Sequence, residues 1–349
     1  MARDTVLVIC DTEPCGYVRW RNWAHVVNGV CRGVVEVVVT SRMIEDRDFL
    51  RRCAAVVVAR PETRHRAILA KYAELRRKHG FALMLDYDDL LWDLQGRDTM
   101  MAHNKYKCDV FENGRFIESF LKDIDKFIVS TDFLGVCALS RFGRSLPVDV
   151  LPNSVSRSMF QRFGEHRGKP RIVYGGAWCH FDGDDVGDFA GPWLEALGRV
   201  RRKFEIHVFG TERWKFPEGT VVHPFATSQQ WPRVFSSVRP DVCIGPLVDH
   251  PFNRCKSDIK MLESFAVGAV FVGSSFNDSP YNRAFVRVPK GCTVEELVSK
   301  LERLADAKER ETIVKAQDKW MDVEHRWMED DTNRDRFMKM VFGDTIEKR

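Results

Sequence analysis

The chain holds ten cysteines in 349 residues, yet no two of them stand in C-x-x-C spacing. The pairing that opens most structural zinc sites is absent, and reduced, mostly buried thiols are the reading that remains. Long apolar runs are missing too: none approaches the roughly 18 residues of a membrane-crossing helix. The first apolar run, Val6 to Cys10, is too short for the core of a secretory signal, and no clear cleavage site follows it. The expected location is therefore the cytoplasm. No internal repeat or low-complexity tract occurs, which excludes solenoids and disordered linkers. Excess charge is small: the net of +4 does not demand a polyanionic partner. Residues 1–82 carry 15 Lys and Arg against 9 Asp and Glu, a local excess of +6 that keeps a nucleic-acid acceptor open.

What is present is a long chain of alternating elements. Its length exceeds what one core usually organises, so two domains of roughly 150 to 180 residues with a cleft between them are expected. Short β-branched runs at Thr5 to Cys10, Val34 to Thr40, Ala54 to Ala59, Phe81 to Asp86, Lys126 to Ser130 and Val148 to Leu151 read as strands. Helical spacing separates them at Trp20 to Val30, Glu62 to His79 and Arg115 to Ile124. A second series has strands at Arg171 to Tyr174, Phe204 to Phe209, Asp241 to Gly245 and Ala269 to Gly273. Helices alternate with these near Val186 to Val200, Ser228 to Val238, Ser257 to Val267 and Thr293 to Ala307. The pattern is α/β, two doubly wound parallel sheets. The charged helical tail carries Trp320, Trp327, Phe337 and Met340, so it needs a surface to cover, and the first lobe can supply it.

In open α/β sheets ligands sit beyond the carboxyl ends of the strands. The unusual residues fall in those loops. Pro246 to Glu263 follows a strand and enters a helix, with Lys256, Lys260 and Glu263 at i, i+4 and i+7 on one expected face, beside an apolar stripe of Ile259, Leu262 and Ala266. Lysines in a first helical turn oppose the positive end of the dipole, a conflict that a bound diphosphate resolves. The Ser257 hydroxyl can join in holding it, and Glu263 can accept both hydroxyls of a ribose. A solvated face with an i, i+3 Lys–Glu pair is the plainer alternative.

Gly175 and Gly176 follow a strand and allow close backbone approach, though such pairs are mostly turns. Asp86, Asp88 and Asp89 crowd three carboxylates at a strand end, where repulsion raises a pKa unless a cation or acceptor hydroxyls compensate. A base, an acceptor clamp, a metal site and simple capping by Asp89 all fit that cluster. Gly16, Tyr17 and Arg19 follow the first strand and are expected to face the cleft, as an acceptor site or a lid, or else to form a surface turn.

The run PFNRCKSDIKMLESFAVGAVFVGSS resembles the nucleotide-sugar segment of GT-B glycosyltransferases of the family 4-like group, in its phage and bacterial style. Other blocks agree in order: RIVYGGAWCHFDGDD with the glycine loop and following His, VDVLPNSVSRSMF with the segment closing the first lobe, and LDYDDLLWDL, FIVSTDFL and CGYVRWRNW with the acidic, Ser-Thr and early G-Y-x-R loops. Together they span about residues 5 to 282. Where better-known relatives carry a Glu eight residues before Glu263, this chain has Cys255.

The resemblance implies a GT-B fold of two Rossmann-like domains, with 1–160 binding the acceptor, 161–320 binding the nucleotide-sugar, and 321–349 packing a helix back on the first domain. It implies donor contacts at Gly175, Gly176, Lys256, Ser257, Lys260 and Glu263, with His180 facing the phosphates and sugar. His180, Asp86, Asp88 and Asp89 are the catalytic candidates. The implied reaction is retaining transfer of a hexose, from UDP-glucose or similar, without a tightly bound cofactor or a required divalent metal. The acceptor is a saccharide or small molecule, with a modified base in DNA as the alternative. A nucleotide-sugar epimerase and a non-catalytic sugar-nucleotide sensor complete the competing readings.

Overall fold

A computed structural model describes residues 4–11, 16–31, 35–92, 110–164, 166, 168–176, 189, 191–210 and 216–343. The first lobe begins with β1 (Thr5–Ile9), a π-helical turn (Gly16–Arg21) running into α1 (Asn22–Val30), β2 (Glu36–Thr40), α2 (Arg47–Arg52) and β3 (Cys53–Ala59). It continues through α3 (Arg66–His79), β4 (Ala82–Tyr87), α4 (Val110–Glu118), β5 (Lys126–Val129), α5 (Asp132–Phe142) and β6 (Val148–Val150). All six strands run parallel, in the order β2-β1-β3-β4-β5-β6. Every residue of β1 is buried, as expected of a central strand covered on both faces. Leu7, Val56, Leu83 and Phe127 pack on one side of the sheet, while Val6, Val57 and Ile128 pack on the other.

The second lobe holds β7 (Arg171–Gly175), α6 (Trp193–Val200), β8 (Glu205–Phe209), β9 (Val221–His223), α7 (Trp231–Val238) and β10 (Val242–Gly245). Then come α8 (Pro251–Cys255), α9 (Ile259–Ala266), β11 (Val270–Ser275), β12 (Val286–Pro289), α10 (Val294–Arg303) and α11 (Ala307–Val323). Its six strands are also parallel, in the order β12-β11-β10-β7-β8-β9. That is the strand order of a dinucleotide-binding sheet, whose direction of winding reverses between β7 and β10. In the first sheet the reversal lies between β1 and β3. Both reversal points open a crevice at the carboxyl ends of their strands.

The chain crosses between the lobes twice, at adjacent places. Leu151 belongs to the first core and Val155 to the second; on the return, Trp327 belongs to the second and Met328 to the first. The two crossings form a parallel β-bridge, with the Met328 N–H donating to the Val155 carbonyl at 3.0 Å. Beyond it, α12 (Asp331–Phe342) lays Phe337, Met340, Val341 and Phe342 on the first lobe, and Phe337 stacks on Trp23 at 4.6 Å. The tail thus crosses back, while Trp320 stays on the second lobe against Phe265.

Strands β9 and β12 are additions to the sequence reading. Both are short edge strands: Val221 and Val222 stand exposed, and β12 buries only Val288 fully, so neither forms the continuous apolar run that marks a central strand. The helix expected at Arg115 to Ile124 starts earlier, at Val110, and is followed after Glu118 by a separate 3₁₀ turn at Leu121–Asp123. The start of the helix expected at Val186 lies outside the described residues.

Candidate active site

A cavity of about 210 Å³ opens at the reversal point of the second sheet. Gly175, which ends β7, and Gly176, which follows it, line the cavity, Lys260 and Glu263 face it from α9, and Phe209, Phe225 and Trp231 supply aromatic surface. Val18 and Asn22 reach it from the first lobe, and Ser154 and Val155 from the first crossing. The cavity therefore lies between the lobes.

Glu263 is buried, and its Oε2 accepts from the Trp231 indole Nε1 at 3.0 Å. Burial pushes its carboxyl up to about 7, against the Trp231 hydrogen bond and the Lys260 charge, which both hold it down. Lys260 sits over the Tyr174 ring, 4.7 Å from its centroid, and donates to the Tyr174 hydroxyl at 3.3 Å. Gly175 has a local reason to be glycine: a Cβ there would lie 2.3 Å from the Trp231 ring. The space saved by the missing side chain is filled by that indole.

The segment entering α9 differs from the single helical face expected. His250 caps α8 through its ring nitrogen, Pro251 opens it, and the Asn253 amide donates to the Val248 carbonyl at 2.9 Å. This short helix ends at Cys255, and Lys256 is extended, with ψ of 151°. Lys256 therefore precedes α9 and does not share the face of Lys260 and Glu263. Neither Lys256 nor Ser257 lines the cavity. Lys256 lies over the Phe252 ring at 5.1 Å and faces Asp89 of the first lobe, and Ser257 accepts from the Asn153 amide at 2.7 Å.

The three carboxylates separate into two environments. Asp86 ends buried in β4, where the Arg19 Nε donates to it at 2.9 Å and the Trp20 indole at 2.9 Å. Arg19 is equally buried and also reaches the Leu151 carbonyl and the Asn153 side-chain oxygen. The cation that pairs with Asp86 is thus internal, and Arg19, expected to face the cleft as an acceptor contact or a lid, points into the protein instead. Arg19 and Trp20 reach Asp86 from the π-helical turn, an irregularity common at functional sites.

Asp88 and Asp89 are only partly buried and are bridged by Arg60, at 3.4 and 3.2 Å. Burial and then the Asp88 charge push the Asp89 carboxyl up, while Arg60 and Lys256 oppose them. Arg60 occupies the left-handed region at φ 47°, a conformation costly for a residue with a side chain, and its N–H donates to the Asp86 carbonyl at 2.7 Å. His180 lies outside the described residues, as does all of the glycine loop beyond Gly176. Gly16 and Tyr17 are placed by their backbone, in the π-helical turn after β1.

Sequence reasoning passed over Arg60, Asn153 and Trp231. Arg60 follows a strand at the reversal point of the first sheet, so the strand-end argument already contained it. Trp231 and Asn153 acquire their importance from partners 32 and 104 residues away, Glu263 and Ser257, which no local spacing reveals. Among the described residues no group of three or more His, Cys, Asp or Glu can hold a metal ion, and no helix is long and apolar enough to cross a membrane.

No protein-family profile matches the sequence, and no curated protein matches it. Solved structures do match over nearly the whole chain. HepE from Anabaena, in complex with UDP-glucose, superposes with a TM-score of 0.62 at 8% identity, covering 99% of this chain and 98% of that one. A sucrose-phosphate synthase from Thermosynechococcus elongatus gives 0.58 at 11%, covering 99% and 97%. The lipopolysaccharide outer core galactosyltransferase WaaB gives 0.53 at 11%, covering 97% and 99%. The chain has the fold of GT-B glycosyltransferases, two Rossmann-like domains each built on a six-stranded parallel sheet.

Proposed function

We propose that the chain is a glycosyltransferase that moves a hexose from a nucleotide-sugar, UDP-glucose or a close relative, to an acceptor hydroxyl. The observation that carries this reading is the pairing, in one interlobe cavity, of a lysine and a buried carboxylate on the helix that follows the strand at the sheet's reversal point. A nucleoside diphosphate needs both. Glu263 accepts the ribose hydroxyls, the Phe209, Phe225 and Trp231 surface covers the base, and Lys260 meets the diphosphate at the start of α9. The neighbour solved with UDP-glucose supports the choice of donor.

Breaking the anomeric C–O bond leaves oxocarbenium character on the sugar and negative charge on the departing diphosphate. Lys260 and the N–H groups opening α9 stabilise that charge from the cavity, and Lys256 and Ser257, which precede the helix outside the cavity lining, supply a further charge and a hydroxyl beside its start. The acceptor enters from the first lobe, where Asp88 and Asp89 hold its hydroxyls beside Arg60; it attacks from the same face that the diphosphate leaves, and its hydroxyl proton passes to the departing phosphate oxygen as the anomeric C–O bond breaks. The resemblance assigns His180 to the sugar. Retention of the anomeric centre follows from front-face attack.

The favoured acceptor is a saccharide or another small hydroxyl compound. Part of the basic excess of residues 1–82 is engaged by acids further along the first lobe, Arg19 by Asp86, Arg60 by Asp88 and Asp89, Arg76 by Asp125 and Arg77 by Asp123, which lowers the charge left for a phosphate backbone. Incubation with UDP-glucose and separate acceptor sets tests this directly. Label in a saccharide with retained configuration by NMR is expected. Label in hydroxymethylated DNA, a new free nucleotide-sugar, or binding without turnover would each replace it with one of the competing readings.

A further inference from the structure

We infer that Asn153 is a positioning residue that aims the Ser257 hydroxyl at the donor's diphosphate; the inference rests on the donor site proposed above. Asn153 lies on the first crossing between the lobes and is 5% exposed. Its side-chain oxygen accepts from Arg19 Nη1 at 2.8 Å, and its amide nitrogen donates to Ser257 Oγ at 2.7 Å. A guanidinium can only donate, so the atom facing Arg19 must be the oxygen, which leaves the amide N–H groups for Ser257.

That orientation fixes the role of the serine. A hydroxyl that accepts from Asn153 keeps its single proton for another acceptor. Ser257 does not line the donor cavity but stands two residues before α9, the helix whose Ile259, Lys260 and Glu263 do, so its proton is placed for a diphosphate that extends from the cavity to the start of that helix. Asn153 is itself held at both ends. Arg19 is anchored on Asp86 and on the Leu151 carbonyl, while Arg326 donates both to the Asn153 carbonyl at 2.8 Å and to Asp258 at 2.7 Å. A first-lobe ion pair therefore sets the direction of a second-lobe hydroxyl through one amide side chain.

The test compares a panel of nucleoside diphosphates with the matching nucleosides by calorimetry or NMR titration, using the full chain. The unaltered protein is expected to bind one diphosphate more tightly than its nucleoside. Asn153→Ala should reduce that diphosphate's affinity about tenfold and leave the nucleoside's unchanged, Ser257→Ala should do the same, and the double variant should be no worse than either.

Asn153→Asp separates aiming from mere anchoring. Its carboxylate keeps Arg19 as a partner, so an anchoring role predicts normal binding. It can only accept from Ser257, however, which turns the serine proton away from the phosphate, so aiming predicts the same loss as alanine. Repulsion of phosphate by the new charge would persist in a Ser257→Ala background, whereas loss of aim would disappear there. Retention of the diphosphate preference in both Asn153 variants, or additive losses in the double variant, overturns the inference and leaves the donor site standing. A wild-type chain that prefers no diphosphate over its nucleoside overturns both.

Discussion

Trp231 donates its indole N–H to Glu263 at 3.0 Å, so the only polar reach of a large aromatic side chain ends on a buried carboxylate in the cavity. The pair ties α7 to α9, and the charge that burial disfavours is the one the proposed ribose contact would use. On that proposal, function and stability are set against each other at Glu263.

The pH dependence follows. Burial raises the Glu263 carboxyl to about 7, above its ordinary value of 4.5. Between those two values the folded chain holds a proton that the unfolded chain has released, so the group's contribution to stability is complete below 4.5 and declines as pH rises through 7. Glu263→Gln, which keeps an acceptor for Trp231, is expected to stabilise the ligand-free chain at pH 8 by up to about 3 kcal/mol. The same variant should weaken nucleotide binding, and wild-type affinity should fall as pH drops below about 7. Urea unfolding and titrations at pH 6 and 8 read both effects; a variant less stable than wild type at pH 8 contradicts the argument.

Gly175→Ala tests the packing beneath that pair. The added methyl would sit 2.3 Å from the Trp231 ring, far inside contact distance, and Phe235 stacks on the same indole at 4.7 Å. A ring that yields must shift against Phe235 and strain its bond to Glu263. A loss of about 1–3 kcal/mol in stability is expected, accompanied by weaker donor binding, as overpacked sites show. Unchanged unfolding midpoint and affinity would mean that Trp231 is free to move.

Much of this was legible beforehand, because central parallel strands such as β1 and β3 are buried on both faces and announce themselves as apolar runs. Loops at their carboxyl ends then gave the region of the interlobe cavity, whose lining includes Lys260, Glu263 and the glycine pair. What stayed hidden depends on distant partners. Arg19 and Asp86, 67 residues apart, read as an acceptor loop and a catalytic acid, yet they meet each other inside the first lobe. Lys256 read as part of a helix face because spacing cannot show that α8 stops at Cys255 and that the chain straightens before α9.

Asp86 and Asp89 should consequently respond to substitution in opposite ways. Asp86→Asn leaves Arg19 buried without its counter-charge, and a loss of about 3–5 kcal/mol in stability is expected. Asp89 is 24% exposed, and Asp88 lies beside it to keep Arg60 paired. Asp89→Asn should alter stability by under about 1 kcal/mol while lowering turnover with the acceptor at saturating donor. Chemical denaturation and steady-state kinetics on both variants decide it. Equal stability losses would show that Asp89 is as structural as Asp86.

The apposition of the lobes is open to a covalent check. Cys137 on α5 and Cys255 at the end of α8 bring their sulfurs to 3.7 Å, and the Thr131 hydroxyl donates to the Cys255 carbonyl at 3.1 Å, so this seam joins the first lobe to the segment that leads into α9. A diazenedicarboxamide oxidant, which takes up the two electrons and two protons that the thiols release, is expected to link them in the folded chain. The Cys137 thiol beside it, and then burial, push Cys255 up, so the thiolate is scarce at neutral pH and linkage should accelerate as pH rises. Peptide mapping without reductant would detect the 137–255 pair, and Cys137→Ser should abolish it. If the oxidised chain instead joins other cysteines while remaining folded, the two lobes do not meet along this seam, and the route by which Asp89 faces Lys256 fails with it.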